Sequence, residues 1–322
     1  MSTPRITIVG TGFIGGSIGL ALKKAKIEAE IVGHDKENNI ATRAQKRGAV
    51  DLTKWNLIDA CEGAALIILA MPLAGIKQTL AAIKDYLAPG AIITDTAATK
   101  TPVMEWANEL PDSVSFIGGN PVIKPGRVSG GGIENANADV LQGATYCLVS
   151  SLRAPASAID TVANFATLIG AQPHFIDAAE HDGILAGVQH LPALLATALA
   201  SGVMQNKSWR ESARLAGADF RDATQLAPAD EKAASDLFLA QRAELIQWTD
   251  VFIERLHALR QLLERNDAAG IEKMVEQIAT ERAKWLSGKL DEGAPAVEWQ
   301  DVQFSPQRLF VGALADRGKK IK

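Results

Sequence analysis

Cysteine is scarce in this chain. Cys61 and Cys147 are the only two in 322 residues; they sit in different apolar stretches without a CxxC spacing. That argues against a disulfide and predicts two buried free thiols in a reducing compartment. The five histidines, His34, His174, His181, His190 and His257, show no HxxxH or mixed Cys/His spacing, so no metal site is expected. An excess of basic charge is also missing. The formal charge of −4 and pI near 5.8 offer no broad field to nucleic acid or to an anionic membrane. Gly, Pro or polar residues interrupt every apolar stretch before the roughly 18 residues of a membrane span, and residues 1–4 are too short for a signal peptide. A cytoplasmic protein without membrane or nucleic-acid partners is expected.

What is present is the composition of a soluble globular protein, 47% apolar and 22% charged, long enough for two domains with separate cores. In the first half, strand and helix signals alternate. Ile6 to Val9 is a β-rich run, Ile14, Ile18, Leu20, Ala21 and Leu22 keep helical spacing, and Ile31-Val32-Gly33 resumes a strand. Ala64 to Ala70 is nearly all apolar, as a parallel strand covered on both faces must be, and Met71-Pro72 stops it. Further strands are expected at Ala91–Thr94, Phe116–Gly118 and Thr145–Val149, with a helix marked by Ile76, Leu80, Ile83 and Leu87. This predicts an α/β Rossmann domain, a doubly wound and mainly parallel sheet, over residues 1–175. Gly126 to Asn137 reads as a loop over the cofactor cleft.

From about residue 178 strand signals stop. Ile184 to Leu199, Leu245 to Leu263 and Ile271 to Ile278 carry helical spacing, with Pro192 inside the first run. An all-helical domain is expected at 176–288, and faces this apolar suggest a homodimer. Residues 289–322 form a C-terminal extension with a possible strand at Val297–Phe304 and a basic end, Arg317 to Lys322.

The clearest chemical motif is Gly10-Thr11-Gly12-Phe13-Ile14-Gly15, a G-x-G-x-x-G placed between a strand and a helix. Gly10 permits the turn, Gly12 admits a pyrophosphate, and Gly15 lets helix lie on strand. The diphosphate then meets free amides at the positive end of the helix dipole. Asp35 closes the second strand about twenty-five residues on, where a carboxylate accepts from the ribose hydroxyls and repels a 2′-phosphate. That favours NAD over NADP, although His34 and Lys36 stand beside it. Met71 and Pro72 fall where the adenosine or nicotinamide side would lie.

Taken together, IVGTGFIGGSIGLAL, VGHD, ILAMP, ITDTAATK, FIGGNP, LQGATYCL, EHDGILAGVQHLPALLA and GADFRDATQLA resemble the prephenate and arogenate dehydrogenase family, over residues 5–285. The resemblance implies a Rossmann domain followed by a helical dimerisation domain. It also implies NAD(P)-dependent oxidation of the ring hydroxyl of a cyclohexadienol acid, with loss of carbon dioxide as the ring aromatises in tyrosine biosynthesis. Three positions depart from that pattern. Asn120 replaces the family's histidine, Ala98 replaces a serine, and Gln225 replaces a carboxylate-binding arginine. An amide does not titrate near neutrality, and glutamine lacks arginine's charged fork. His190, Arg221 with Asp222, and Lys100 match.

His190 and Asn120 are therefore the expected catalytic residues; Ala98, Lys100, Lys124, Arg221 and Gln225 are the expected surroundings of a small anionic substrate. Each has a plainer reading. His190 can be a core histidine, Asn120 a turn residue before Pro121, Lys124 and Arg127 solvated loop charges, and Arg221 a local partner of Asp219 or Asp222. Two other functions stay open. One is a reductase of the same architecture acting on another small acid, oxo-acid or imine; the other is a catalytically silent dinucleotide sensor.

Overall fold

The β-rich runs of the first half build one sheet. In this computed structural model, which describes residues 3–126, 131–151 and 153–289, its strands are β1 (Arg5–Val9), β2 (Glu30–His34), β3 (Leu52–Thr53) and β4 (Leu66–Leu69). They continue with β5 (Ile92–Asp95), β6 (Ser115–Val122), β7 (Thr145–Ser150) and β8 (Gln172–Phe175). Their spatial order is β3-β2-β1-β4-β5-β6-β7-β8. The first six are parallel; β7 runs antiparallel to β6, and β8 parallel to β7. The chain reverses direction of travel between β1 and β4, which in open sheets is where ligands bind at the carboxyl ends.

Helices cover both faces: α1 (Phe13–Lys24), α2 (Asn38–Lys46), α3 (Leu57–Cys61), α4 (Leu73–Ile83), α5 (Thr101–Ala107) and α6 (Ala156–Leu168). The alternation within β4 shows how one strand serves two cores. Leu66 and Ile68 join Ile18, Leu22, Val162 and Phe165 on one face, whereas Ile67 and Leu69 join Ile76, Leu80, Ile83 and Val103 on the other. Both cysteines are free and buried, and burial pushes the Cys61 thiol up to about 12.

Two strands carry little sequence signal. β3 is a two-residue edge pairing, and β8 (QPHF) is a largely exposed edge strand containing Pro173. Edges tolerate proline because one side of the ladder needs no N–H donor. The described part of the loop expected over the cofactor cleft packs on α1 just after the glycine motif. Among its described residues, Ile133 and Ala136 are buried against Gly16 of α1, the Arg47 guanidinium donates to the Ala136 carbonyl at 2.9 Å, and the Asn137 amide donates to Ser17 Oγ at 3.0 Å. An apolar Ile133 inside the polar run draws it onto α1 and α2; residues 127–130, with Arg127, lie outside the described part.

Helices follow: α7 (Ala178–Leu185), a π turn at Ala186–His190, α8 (Leu191–Met204), α9 (Trp209–Ser212), α10 (Ala218–Thr224) and α11 (Glu231–Ala240). Residues 178–204 are continuous, which corrects the expectation of interrupted apolar runs. This 27-residue helix, with a window of mean hydropathy 1.5, is long and apolar enough to cross a membrane by length and composition alone. Pro192 does not break it because the preceding turn is π-wound: the Leu191 amide bonds the Ala186 carbonyl, five residues back.

Two compact units divide the described residues, one up to Arg242 and the other from Ala243. The second contains α12 (Arg242–Glu264) and α13 (Ala268–Leu286), joined by Asn266 in the left-handed region and by Asp267, which caps α13 through the Gly270 amide at 2.9 Å. Leu256, Leu263, Val275 and Ile278 are exposed on these helices. The strand expected at Val297–Phe304, the basic end, and all of the C-terminal extension after residue 289 lie outside the described residues.

Candidate active site

The cofactor loop is shaped by what its glycines leave out. Gly10 has φ +90°, and a Cβ there would stand 2.3 Å from the Ala70 carbonyl oxygen on the neighbouring strand end. At Gly15 a Cβ would stand 1.9 Å from the Gly10 carbonyl oxygen, so α1 lies directly on the loop. Nothing lies within 4 Å of a Cβ at Gly12, the N-cap of α1, and no side chain caps that helix. The result is an open concavity at uncapped amides, the shape and polarity that a diphosphate needs. Phe13 and Ile14 open the helix half-buried, and Met71 and Pro72 face the same edge, with Pro72 as N-cap of α4.

Asp35 is held ready beside this cradle. Its carboxylate accepts the Thr11 amide at 2.8 Å and the Glu37 amide at 3.0 Å. His34, which would have offered a phosphate a partner, instead points Nδ1 at the Lys54 carbonyl at 3.0 Å. These residues fit a dinucleotide whose ribose hydroxyls meet a carboxylate.

At the carboxyl end of β5, Asp95 organises the next loop. One carboxylate oxygen accepts the Gly119 amide at 3.0 Å; the other accepts the Ala97 amide at 2.9 Å and the Lys100 ammonium. Lys100 Nζ also donates to the Gly119 carbonyl at 2.7 Å, and its side chain is fully buried. Burial lowers its pKa, with Asp95 opposing. Lys100 was expected to meet substrate; its ammonium is instead consumed in the interior, tying β5 to β6. Gly119 has to be glycine, since a Cβ would lie 2.5 Å from the Asp95 carbonyl and 2.8 Å from the Tyr146 ring. This close approach seats the next residue, Asn120, which is 3% exposed.

Asn120 does not stand alone. Its Nδ2 lies 3.0 Å from His181 Nε2, and His181 Nδ1 lies 2.9 Å from Asp182 Oδ1. A carboxylate can only accept, so the His181 Nδ1–H donates to Asp182 and Nε2 accepts from the amide. The Asn120 amide nitrogen is thereby committed to His181. Asp182 also accepts from the amides of Lys100 and Thr101 at 2.6 and 2.8 Å and from the Thr99 hydroxyl at 3.0 Å, capping α5 from α7. Burial pushes its carboxyl up, but bonds from His181 and the two amides outweigh this and hold it below the ordinary value.

His190 lies at the end of the π turn, 2% exposed, with Nδ1 on Gln241 Oε1; its Nε2 and the Gln241 Nε2 are buried without hydrogen-bond partners. Burial lowers the His190 pKa, opposed by the Gln241 bond and by Asp182. The histidine is therefore neutral, with Nε2 as an unused acceptor.

The other expected contacts are dispersed. Ala98 is half-buried in the loop before α5. Lys124 is exposed beyond β6, its ammonium passing over Gly143. On α10, Arg221 is exposed and paired with Asp222 at 2.8 Å, and Gln225 is exposed. No hydrogen bond among the described residues joins either to Asn120 or His190. Sequence reasoning missed His181, Asp182 and Gln241. The first two lay inside the quoted EHDG motif, but Gln241 left no signal.

A Rossmann cradle at the β1–β4 crossing, an acidic β2 end and a buried histidine with a free ring nitrogen define a dinucleotide-dependent oxidoreductase. The comparisons narrow the class. Residues 18–174 match the prephenate dehydrogenase nucleotide-binding domain, and 177–279 the prephenate dehydrogenase dimerization domain. The chain is 32% identical over 282 residues to the prephenate dehydrogenase of Lactococcus lactis, covering 85% of this chain and 75% of that one. It is 28% identical over 269 residues to the cyclohexadienyl dehydrogenase of Zymomonas mobilis, covering 82% and 89%. Among solved structures, Aquifex aeolicus prephenate dehydrogenase with hydroxyphenyl propionate and NAD+ superimposes with a TM-score of 0.79 at 21% identity, covering 88% and 99%. The chain belongs to the prephenate/arogenate dehydrogenase family of NAD-dependent oxidoreductases.

Proposed function

We propose that this protein oxidises prephenate or arogenate with NAD. His190 carries the proposal: a neutral imidazole with its acceptor nitrogen unpartnered in the interior, in the unit that holds the dinucleotide cradle. In this reading His190 Nε2 takes the proton of the ring hydroxyl, and Asn120 Oδ1 orients that hydroxyl. NAD, bound on the Gly10–Gly15 loop, supplies the hydride acceptor. As the ring carbinol carbon becomes a carbonyl, the ring carboxylate leaves as carbon dioxide and the electrons of its bond complete the aromatic ring. The substrate's anionic groups are met by Lys124, Arg221 and Gln225, with Ala98 shaping the wall. The functional boundary lies near residue 175.

The working form is a homodimer in the cytoplasm, built through the helical region. Ile184, Val188, Leu199 and Met204 are exposed along α7, the π turn and α8, a large apolar cost for a lone chain. The matched dimerisation domain supports that reading.

One observation favours a second reading, in which the substrate is another small acid, oxo-acid or imine. Asn120 stands at the family's histidine and spends its amide on His181. NADH absorbance at saturating NAD, with prephenate and arogenate assayed separately, decides between them. Turnover of either supports the first reading. NADH binding without turnover of either supports an exchanged substrate, or, if no acid of a broad panel reacts, a silent sensor.

A further inference from the structure

Gln241 ends α11 with a fully buried side chain, 51 residues after the histidine it touches. A glutamine amide buried in protein normally has both ends bonded. Here only Oε1 is used, on His190 Nδ1, while Gln241 Nε2 and His190 Nε2 lack partners. The two orphan atoms belong to a single hydrogen-bonded pair, one a donor and the other an acceptor. Asymmetry of the amide fixes the direction of the bond they share: an oxygen acceptor requires the proton on Nδ1.

We propose that Gln241 is a positioning residue for the reaction: by accepting at Nδ1 it sets the His190 tautomer so that Nε2 carries the lone pair. A hydroxyl is the group that satisfies the imidazole orphan, since it donates to a ring nitrogen. Neither an apolar group nor a carboxylate does so, because neither donates to the imidazole. The inference rests on His190 acting as the base, but its first part is a property of the resting protein.

The groups facing His190 make the consequences calculable in sign. His181 and Asp182, earlier on the same helix, push its titration down and up respectively, and Gln241 from α11 pushes it up. Removing the Gln241 acceptor therefore lowers the His190 titration further, and a carboxylate in its place raises it.

The test uses the full chain with 15N-labelled histidine, His190 being assigned by difference against His190→Gln. In the unaltered protein the His190 ring is expected as the Nδ1–H tautomer, titrating below the ordinary histidine value. Gln241→Leu should release a mixture of tautomers and lower the titration, whereas Gln241→Glu should raise it by about one pH unit, equivalent to about 1.4 kcal/mol. Gln241→Asn, one methylene shorter, keeps the amide and should hold an intermediate position. On whichever substrate turns over, the acid limb of the kcat profile should move with these titrations, and Gln241→Leu should lose about tenfold in kcat with little change in the KM for NAD. An Nε2–H ring in the unaltered protein overturns the proposal, whatever the variants do. So do titrations that stay fixed in both Gln241→Leu and Gln241→Glu. If the tautomer behaves as stated and neither prephenate nor arogenate reacts, the substrate reading fails and the positioning role stands.

Discussion

The segment from Gly10 to Asp35 and the cluster of Asn120, His181, Asp182, His190 and Gln241 both build part of a site, by opposite means. The first binds with backbone: a turn at φ +90°, two glycines where a close approach forbids a Cβ, and a carboxylate braced by two amides, with every glycine and the carboxylate inside twenty-six consecutive residues. The second binds with side chains drawn from β6, α7, the π turn and the end of α11. Glycines that must be glycine leave a local spacing, and a spacing persists in the sequence. Side chains that meet only in the fold leave none.

The contrast can be broken first at His190. His190→Gln should cost about 10²–10⁴ in kcat while NADH affinity, followed by fluorescence, stays unchanged. A parallel loss of NADH binding would mean that the two regions are one energetic unit. Next comes Lys100. Lys100→Met leaves Asp95 charged and unpaired in the interior, and should lower stability by about 3–5 kcal/mol in denaturant titration. Adding Asp95→Asn should recover part of that loss. A small effect from Lys100→Met alone would return the lysine to the list of substrate contacts.

Asp182→Asn is expected to cost about 1–3 kcal/mol, because one carboxylate serves His181, two amides and a hydroxyl. Its folded pKa lies below the ordinary value, so its contribution is complete above the ordinary carboxylate pKa and is lost as pH falls through the folded one. The unaltered protein should therefore lose stability on acidification with a limb that Asp182→Asn lacks; identical acid unfolding curves would remove the carboxylate from this role. The smallest effect is at Asp35. Asp35→Ser should weaken NADH binding about tenfold, about 1.4 kcal/mol, and narrow its margin over NADPH. An unchanged margin in paired titrations would show that discrimination lies elsewhere.

How much was legible follows the same line. The strands of the sheet core could be read because each is a short apolar run bounded by turn residues, and β4 is apolar at every position. β3 and β8 could not, being an edge fragment and an exposed strand with a proline. Lys100 was misassigned for a physical reason: a lysine in a loop motif reads as exposed, and only the fold shows Asp95 and the Gly119 carbonyl waiting for it in the interior. Helical spacing through Pro192 was legible, but the apolar stretch was read as too broken for a membrane-length helix, and a π turn that absorbs a missing N–H has no sequence pattern of its own.

The sequence by itself determined the strand–loop–helix of the dinucleotide cradle, the acidic end of β2 and the alternation that makes the sheet mainly parallel. These depend on periodicity and on the absence of side chains at fixed local offsets. His190 was legible through the family resemblance; tertiary structure alone decided which side chains surround it. In a regular helix nine residues at about 100° each would carry His190 to the side opposite His181. The slower winding of the π turn brings it back toward the same side, where His181, Asp182 and Gln241 act on one ring. Partners 51 and 61 residues apart, such as His190 with Gln241 and Asn120 with His181, share no local period. Their meeting is a product of packing.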